Sequence, residues 1–543
     1  MNELSAIFRT VKDDSAVKLE KDRIYHVRQD DSFELDGYFC SNSAKRDENP
    51  TGHRFTPMFL EGRKNITVDG NGASVIIHGK MTAFLFSRCE NITVKNLIVD
   101  YAVPTMAEFE ILENDGGVLT IRINPDILFR IEGNTLVWHG ETGADGRPYW
   151  EDPSNGPYRL TRLYDPATEL LSPYLGPKTF TFASVERLDE RTLRCTLEDK
   201  DLPLPKGRIA QSRNTVRDQV GGMFERCRNL SFENLRVRFM HGLGMVCQFC
   251  DTVTYKNCDF TPGEGRTIAS TADFFHFSGC RGLLEISGCR ARGAQDDFVN
   301  VHGTHLRIME CDRAEKTMLM RFCHDESWGF QAFEAGDRLE FIRRNTLIPY
   351  GETTVTGYEK ISPTDILIHV TDVPDGIATG RDVVENASWT SDVHIADCIF
   401  GPSAGRGVLC TTRGKVVIEN NLFDRNIGAA LVVEDDCNFW FESGYTRDIT
   451  FRNNTVVYCN YGKHCEAAAV QFTPKVMDRD SRAFVHGKLT VEGNRFLNPA
   501  NGRHVIWLEY LKEAELRDNT FDAPLAVYTN VCGTVRSENG TGR

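Results

Sequence analysis

Asn229-Leu-Ser-Phe-Glu-Asn234-Leu235 and, 23 residues later, Thr252-Val-Thr-Tyr-Lys-Asn257-Cys258 carry the repeat that decides the fold. In both copies a short strand of alternating apolar and polar residues ends at an Asn, and a further apolar residue follows. Further copies begin at Asn91, Asp392, Lys415 and Asp448, and looser ones begin at Leu283, Leu489 and Ala514. Strands this short cannot bury a face alone, whereas stacked coils pair each strand with the next and enclose a shared core. The sequence therefore predicts an all-β chain built as a right-handed parallel β-helix, with an Asn ladder at one turn.

The distance between equivalent apolar residues gives the length of one coil. It is 23 residues from Leu230 to Val253, from Leu283 to Leu306 and from Val393 to Val416. Longer gaps, such as the one between 253 and 283, predict coils that carry inserted loops.

Two long stretches break the coil pattern, at 102–218 and 308–388. Both alternate apolar and polar residues between turn signals, which predicts inserted antiparallel β domains, small and barrel-like. The predicted organisation is N-terminal coils at 1–101, coils bearing the candidate site at 219–307 and C-terminal coils at 389–543. Domains inserted between coils are well placed to wall a cleft.

The composition excludes several classes of protein. The net charge of −14 disfavours nucleic acid and polyanionic glycans as partners, because their binding requires a Lys- and Arg-rich surface. We find no apolar run of about 18 residues, so no membrane span is predicted. The first ten residues have neither a basic start nor an apolar core, so no secretory leader is expected in this sequence. The oligomeric state is not predicted, and a homodimer stays among the alternatives.

Several of the 17 cysteines fall at fixed positions in the repeat. Four of them lie three positions before the first apolar residue of a copy: Cys89, Cys227, Cys250 and Cys280. Two others, Cys258 and Cys398, lie five positions after it. Both sets are predicted to point into the core. A buried cysteine acts as a small apolar residue. Their number and placement favour reduced thiols and a cytoplasmic location, although a removed leader would make the protein periplasmic or secreted.

The candidate chemistry lies in three aspartates. Asp273 and Asp296 each precede an apolar reference residue, Leu283 and Leu306, by ten positions, so the repeat predicts that they stack on successive coils. At a strand spacing of about 4.8 Å two carboxylates repel, which holds a proton on one of them. Asp297 supplies a third acid. Single aspartates at turns of a β-helix are usually solvated, but three together beside aromatic residues favour an acid and base pair.

These residues carry a family resemblance. Thr271-Ala-Asp273 followed by Gln295-Asp-Asp297 resembles the paired acids of polygalacturonase-type β-helix glycosidases, but the Gly-His-Gly and Arg-Ile-Lys motifs of those enzymes are missing. Gly293-Ala-Gln-Asp-Asp-Phe-Val-Asn-Val-His-Gly303, Gly405-Arg-Gly-Val-Leu-Cys-Thr-Thr-Arg-Gly-Lys415 and the two insertions resemble the inverting α-1,3-galactosidases of glycoside hydrolase family 110. The resemblance covers nearly the whole chain. It implies removal of terminal α-1,3-linked galactose from blood-group-B-type and linear glycans, without metal or other cofactor.

The resemblance also implies that Asp273, Asp296 and Asp297 are the catalytic acids. We expect Asp296 to be the general acid and the other two to hold the attacking water. In the predicted arrangement Asp273 and Asp297 lie diagonally across from each other on neighbouring coils. Their separation then approaches the distance between the two acids of inverting enzymes, which is about 6.5 Å or more.

Six further residues are candidates for substrate binding. Arg406 falls ten positions before Val416, in the predicted aspartate column, and Arg413 falls three before it, so either can bind a hydroxyl or pair with the acids. His276 and His302 flank the acids, although a lone histidine is more often structural. Trp328 is either a surface on which a sugar stacks or an ordinary core residue. Glu434 either binds a sugar hydroxyl at the edge of the site or belongs to a solvated turn.

Two other interpretations of the sequence compete with a galactosidase. One is another β-helix glycosidase or a lyase, for which a calcium site and sensitivity to chelators are expected. The other is a non-catalytic glycan-binding β-helix, which needs no pair of stacked acids.

Overall fold

The computed structural model describes residues 2–157, 159–176, 178–462, 467–498, 504–522 and 527–538. Three long parallel sheets run along one axis, and each coil contributes a strand to each sheet in turn. Because every strand pairs with its equivalent on the next coil, the side chains that point inward form one continuous core. This arrangement confirms the predicted parallel β-helix.

Within each sheet the described strands follow one another in spatial order along this axis. The first sheet contains Ser15–Lys18, Lys64–Asp69, Glu90–Lys95, Arg228–Glu233, Asp251–Lys256, Arg281–Ser287, Ser391–Ala396, Lys415–Glu419, Asp448–Arg452, His486–Glu492, Leu511–Arg517 and Thr534–Glu538. The second contains Ile24–Arg28, Ser74–His78, Ile98–Tyr101, Arg236–Val237, Asp259–Phe260, Arg290–Ala291, Ile399–Phe400, Leu422–Asp424, Thr455–Val457, Arg495–Leu497 and Thr520–Phe521. The third contains Met58–Glu61, Phe84–Ser87, Gly222–Glu225, Met245–Gln248, Phe275–Ser278, Val299–Thr304, Val408–Cys410, Leu431–Val433, Ala468–Phe472, His504–Glu509 and Val527–Asn530, and Glu442–Ser443 pairs antiparallel with Val299–Thr304.

The N-terminal end of the core is covered by the helix Glu3–Thr10, whose Leu4 and Phe8 are buried in it. The Asn2 side chain caps this helix by accepting a hydrogen bond from the Ser5 N–H at 2.8 Å. A 3₁₀ turn, Gln29–Asp31, and a short antiparallel pair, Phe33–Leu35 with Arg54–Thr56, complete this end.

Both predicted insertions are antiparallel. The first forms a six-stranded sheet, in the order Arg159–Tyr164, Ile209–Asn214, Ala107–Asp115, Val118–Ile123, Thr192–Leu197 and Phe182–Arg187, and a three-stranded sheet of Leu128–Glu132, Thr135–His139 and Glu151–Pro153. The second forms a closed barrel, in the order Leu306–Asp312, Thr317–Arg321, Asp365–Val370, Ile348–Lys360, Arg338–Arg343 and Val383–Asn386.

One predicted coil is wrong. Leu306 is the first residue of the barrel, so the interval from Leu283 to Leu306 does not measure a coil. In the first sheet it is Leu284, not Leu283, that pairs with Val253 and with Val393, because the register shifts between Asp251 and Val253. Leu283 is accordingly 41% exposed, whereas Leu284 is buried.

The turn after each first-sheet strand requires a left-handed residue, which explains the recurring Asn or Asp. Asn96, Asn234, Asn257 and Asp397 have φ between 53° and 57°, a region that Asn and Asp tolerate better than other side chains. Asn234 donates to Asn96 at 3.2 Å, so the predicted ladder is present at this turn.

A second, buried Asn ladder follows one residue later in the C-terminal coils: Asn421, Asn454, Asn494 and Asn519. In each of the first three, the side-chain Nδ2 donates to Oδ1 of the next Asn, for example from Asn454 to Asn494 at 3.1 Å. In earlier coils Leu97, Leu235, Cys258 and Cys398 occupy this position, and their side chains are buried, as predicted for the two cysteines. The 16 cysteines in the described residues are free thiols.

The buried ladder gives a first prediction, for Asn454→Ala. The change removes hydrogen bonds to Asn421, Asn494 and the Ile418 carbonyl and leaves buried polar groups unpaired, so we expect a loss of about 2 kcal/mol in unfolding free energy. Urea unfolding followed by fluorescence measures it. Thr450→Ala, on the half-buried face of the preceding strand, is the matched control and should shift the midpoint little. Equal midpoints for the two variants would contradict this account of the ladder.

Candidate active site

The three aspartates meet where two neighbouring coils enter the third sheet. Asp273 lies two residues before Phe275 and Asp297 two residues before Val299, and Phe275 pairs with Val299. The Asp297 N–H donates to Asp273 Oδ1 at 3.2 Å, which fixes these two side chains one above the other. Asp296 precedes Asp297 by one residue, and oxygens of all three carboxyl groups lie within 4.8 Å of one another.

The predicted stacking partner of Asp273 is therefore wrong. Asp297, not Asp296, shares the column of Asp273. The expected diagonal placement of Asp273 and Asp297 is therefore also wrong. The error has one cause, since the prediction took Leu283 and Leu306 as equivalent positions. The convergence of the three acids is nevertheless present.

Arg406 continues the column of Asp273 and Asp297 on the next coil. It lies two residues before Val408, which pairs with Val299. Its guanidinium contacts both oxygens of Asp297, at 2.7 Å from Nε and 2.8 Å from Nη2, and its backbone N–H donates at 3.1 Å. Gly405 makes this approach possible because a Cβ there would lie 2.3 Å from the backbone of Asp296. Such a bidentate pair fixes the Asp297 carboxylate in one orientation.

Asp296 is the acid that faces the open cavity. Its side chain is 37% exposed, whereas Asp273 and Asp297 are buried. Arg217, at the return from the first insertion, approaches its Oδ2 with Nη2 at 3.3 Å and donates from Nη1 to the Asn42 carbonyl. The contact places a guanidinium group beside the Asp296 carboxyl.

Two histidines lie behind Asp273. His276 Nδ1 is 2.8 Å from Asp273 Oδ2, His276 Nε2 is 3.0 Å from His302 Nε2, and His302 Nδ1 is 2.5 Å from the Gly303 carbonyl. Both rings are buried and neither lines the cavity, so neither can bind a substrate in this structure. They support Asp273 instead.

Burial dominates the electrostatics of the site. It raises the pKa of Asp273 well above its usual value, the charge of Asp296 raises it further, and Arg217 and Arg406 oppose the increase. Burial also raises the pKa of Asp297, against the opposing effect of Arg406. It lowers the pKa of His276 to about 4 and lowers that of His302. These shifts favour the neutral form of both histidines and the protonated form of the buried carboxyl groups.

The acids open into a cavity of about 600 Å³, within the range of small-ligand sites. Its other walls are mainly polar and come from the coils and from the segments that flank them: Asn42, Asn300, Glu434, Asp436, Glu442, Gln471, Thr473 and Lys475. Glu434, a predicted binding residue, does line the cavity and pairs with Lys475 at 2.8 Å. Asn300 Oδ1 is buried and has no hydrogen-bond partner among the described residues.

Two aromatic residues, Phe439 and Trp440, lie at the cavity rim, and 58% and 44% of their surfaces are exposed to solvent. The Asp436 carboxylate holds their turn by accepting from the backbone N–H groups of Asn438, Phe439 and Trp440 at 2.6 to 3.1 Å. The Trp440 ring packs against His324 at 4.4 Å between centroids. The result is a fixed aromatic surface beside a polar cavity.

Two predicted binding residues lie elsewhere. Arg413 is buried and pairs with Glu340 and Glu385 of the barrel, at 2.5 and 2.6 Å, so it joins the barrel to the coils. Trp328 is buried, packs on Phe39 and donates from Nε1 to a backbone carbonyl at 3.1 Å. Both belong to the packing of the second insertion and neither borders the cavity.

Metal-binding potential is limited by charges already present. The oxygens of the three acids are close enough to hold a cation, but Arg217 and Arg406 already contact two of them. A second set, His305, Asp435 and Cys437, is buried and does not line the cavity, and His305 Nε2 and Asp435 Oδ1 pair at 2.8 Å. No helix in the described chain is long and apolar enough to cross a membrane.

Comparison with known proteins places this arrangement in a family. The chain is 32% identical to an α-1,3-galactosidase A of Bacteroides thetaiotaomicron, over 89% of this chain and 82% of that protein. It is 33% identical to one of Akkermansia muciniphila, over 84% of this chain and 74% of the relative. The chain belongs to the α-1,3-galactosidase family. This membership confirms the resemblance recognised in the sequence and makes the chain a glycosidase.

Two further comparisons agree with the architecture. A family model described as GLAA-B beta-barrel domain II matches residues 317–384, which lie within the second insertion. Tailspike protein 3 of bacteriophage CBA120 aligns over 97% of this chain and 56% of its own, at 9% identity and a TM-score of 0.36, which adds nothing to the fold established by strand pairing.

Several residues at the cavity of this α-1,3-galactosidase family member are not predicted by the sequence pattern. Arg217 lies at the end of an insertion, outside the repeat, and meets Asp296 across 79 positions. Trp440 lies in an irregular segment after a coil strand, and Glu442 begins the short strand Glu442–Ser443, which lies outside the repeat. The sequence feature near Trp440 that could have indicated this part of the cavity is the acidic run Glu434-Asp-Asp436. Its pattern favours a solvated turn over a hydroxyl-binding edge. Asp436 does cap a turn, and that turn presents the aromatic rim.

Proposed function

We propose that this chain removes terminal α-1,3-linked galactose from glycans as an exo-acting, inverting hydrolase. The observation that carries the proposal is the convergence of Asp273, Asp296 and Asp297 on one cavity, in a chain whose relatives are named α-1,3-galactosidases. Glycoside hydrolysis requires a protonated carboxyl for the leaving oxygen and an ionised carboxylate for the other face of the sugar.

The environments of the acids favour one division of roles. We assign the general acid to Asp273, because burial and the neighbouring Asp296 raise the pKa of its carboxyl and so favour the protonated form. Asp296, exposed to the cavity and paired with Arg217, is the general base, and Asp297, fixed by Arg406, helps to orient the water. This division exchanges the roles expected from the sequence for Asp273 and Asp296, and it rests on the burial and the contacts of each acid.

The proposal of inversion rests on how a water molecule could be held. The acids lie closer together than the about 6.5 to 9.5 Å common in inverting enzymes, so their separation alone carries no argument. Carboxylate oxygens up to 4.8 Å apart can, however, both accept hydrogen bonds of about 2.8 Å from one water. Such a water, held by Asp296 and Asp297, is positioned for a single displacement.

The rest of the cavity suits a neutral sugar. Asn300, Gln471 and Lys475 present amide and ammonium groups to hydroxyls, and Asn300 Oδ1 lacks a partner among the described side chains. The exposed ring of Trp440 offers a stacking surface for the apolar face of a sugar at the rim.

Substrate class is tested by galactose release from a panel of α-1,3-, α-1,4- and α-1,6-linked galactosyl oligosaccharides and from their β-linked counterparts. We expect the α-1,3 linkage to be preferred and the β linkages to be inert. A chelator in the reaction should leave the rate unchanged. Release of an unsaturated sugar, or binding without release, would instead support a lyase or a glycan-binding protein.

The second prediction concerns stereochemistry. Wild-type enzyme acting on an α-linked substrate should release β-galactose first, because water attacks opposite the leaving oxygen in a single displacement. Proton NMR during the first minutes resolves the two anomeric signals before mutarotation mixes them. If α-galactose is released first, one of the aspartates is a nucleophile and the single-displacement proposal is wrong.

The third prediction concerns the aromatic rim. Trp440→Ala should raise KM about 3- to 10-fold with little change in kcat, since a stacking contact contributes about 0.5–1.5 kcal/mol to binding. Phe484→Ala, an exposed aromatic outside the cavity lining, is the control. A fall in kcat at constant KM would place Trp440 in transition-state stabilisation rather than in binding.

A further inference from the structure

One wall of the cavity is formed by Glu442, at the start of the strand Glu442–Ser443, and by Asn300. Glu442 Oε1 accepts from Asn42 Nδ2 at 2.5 Å and from Asn300 Nδ2 at 3.4 Å. Glu442 Oε2 has no hydrogen-bond donor among the described residues, yet it is not buried. One oxygen of this carboxylate is therefore held by the protein, and the other can accept from a ligand.

The two amides beside Glu442 are oriented by their contacts. Asn42 Oδ1 accepts from the Ser327 hydroxyl at 2.7 Å, so its Nδ2 faces Glu442, and the second insertion thereby supports this wall. Asn300 also directs its Nδ2 to Glu442, which leaves its buried Oδ1 without a partner among the described residues. Buried acceptors are normally satisfied by a donor. Glu442 and Asn300 therefore present two neighbouring acceptors that the hydroxyl groups of a sugar can satisfy.

The surroundings of Glu442 favour its ionised form. Burial raises the pKa of this carboxyl, but the neighbouring His302, His276 and Arg406 and the hydrogen bond from Asn42 outweigh burial, so the pKa lies below its usual value. An ionised carboxylate can only accept, and its hydrogen bonds are stronger than those of a neutral acceptor. A site that binds a hydroxyl in this way rejects an analogue that lacks the hydroxyl, because the buried acceptor is then left unpaired.

The distance from this wall to the acids suits one sugar ring. Asn300 follows Asp297 by three residues along the chain that enters the third sheet, which in an extended strand separates the two by about 10 Å. A pyranose ring with a hydrogen bond at each end fills such a gap. Because C4 lies across the ring from C1, a galactose whose C1 faces the acids turns its O4 toward Glu442 and Asn300.

We propose that Glu442 is a specificity-determining residue that accepts a hydrogen bond from the O4 hydroxyl of the terminal galactose, with Asn300 beside it. O4 is axial in galactose and equatorial in glucose, so a fixed acceptor at this wall separates the two sugars. The same contact requires an unsubstituted O4. The inference rests on the proposed function and adds which hydroxyl is recognised, and it holds for either assignment of acid and base among the aspartates.

Changing the enzyme and the substrate together tests this contact. On dinitrophenyl α-galactoside, Glu442→Gln should lower kcat/KM about 10- to 100-fold, the effect of losing a hydrogen bond to a charged group. Wild type should be slowed by a similar factor on the 4-deoxy analogue, on which the variant should lose little more. The 6-deoxy analogue keeps O4, so the variant should show its full loss there. Glu285→Gln, at a half-buried position of the first sheet, is the control and should leave all three rates unchanged.

A merely structural role of Glu442 would lower the variant's rate by the same factor on all three substrates, and that result would overturn the proposal. So would a wild type that hydrolyses the 4-deoxy and 6-deoxy analogues equally well, a comparison that needs no variant. If wild type hydrolyses no α-galactoside, the proposed function is wrong, and calorimetry with free galactose then tests the wall alone. Weaker binding of galactose by Glu442→Gln would support the contact, whereas equal binding, or none by wild type, would overturn it.

Discussion

Asp273→Asn should lower kcat/KM on an α-1,3-galactosyl oligosaccharide by about 10³- to 10⁴-fold while the fold stays intact. The amide keeps the shape of the side chain but cannot protonate the leaving oxygen, and positioned proton transfer contributes about 10² to 10⁴ in rate. The loss should be far smaller on a dinitrophenyl α-galactoside, whose leaving group departs without a proton. Steady-state rates on the two substrates measure the difference.

A matched control is available in the same fold. Asp397→Asn makes the same chemical change at an exposed turn where equivalent coils already carry Asn96, Asn234 and Asn257. It should retain wild-type rates on both substrates. Equal losses of Asp273→Asn on both substrates would show that Asp273 does not act as the acid, and near-normal activity would remove it from catalysis.

Asp296→Ala should also lower kcat/KM by about 10³-fold or more, but equally on both substrates. The general base acts on the attacking water, so a better leaving group does not compensate for its loss. Removal of the carboxylate also leaves space beside Arg217 for a small anion. We therefore expect azide to restore part of the rate with the dinitrophenyl substrate, and the product to be β-galactosyl azide by NMR.

The comparison of the two variants separates the roles of the acids. Azide should not rescue Asp273→Ala on an oligosaccharide, because an anionic nucleophile cannot supply the missing proton. Asp296→Asn serves as the control that keeps the volume filled, and it should respond less to azide than Asp296→Ala. Rescue of Asp273→Ala and not of Asp296→Ala would return the assignment to the one expected from the sequence.

The repeat in the sequence determined the architecture. Strand length, the left-handed turn residue and the inward-pointing residue after it are local properties that recur from coil to coil, so a single chain reveals them. The two insertions were visible because they lack that period. The acidic trio was found for the same reason, since Asp273, Asp296 and Asp297 lie beside strands of neighbouring coils.

Tertiary structure alone decided which acids stack and what surrounds them. Phe275 pairs with Val299, which lies 24 positions later and not 23, and that one residue exchanges Asp296 for Asp297 in the column. Arg217 comes from an insertion and Trp440 from an irregular segment, so no period in the sequence places them at the cavity. Burial of Asp273 and its two histidines depends on packing against neighbouring coils. Spacing along a chain cannot encode such contacts, which set the pKa shifts of the buried groups.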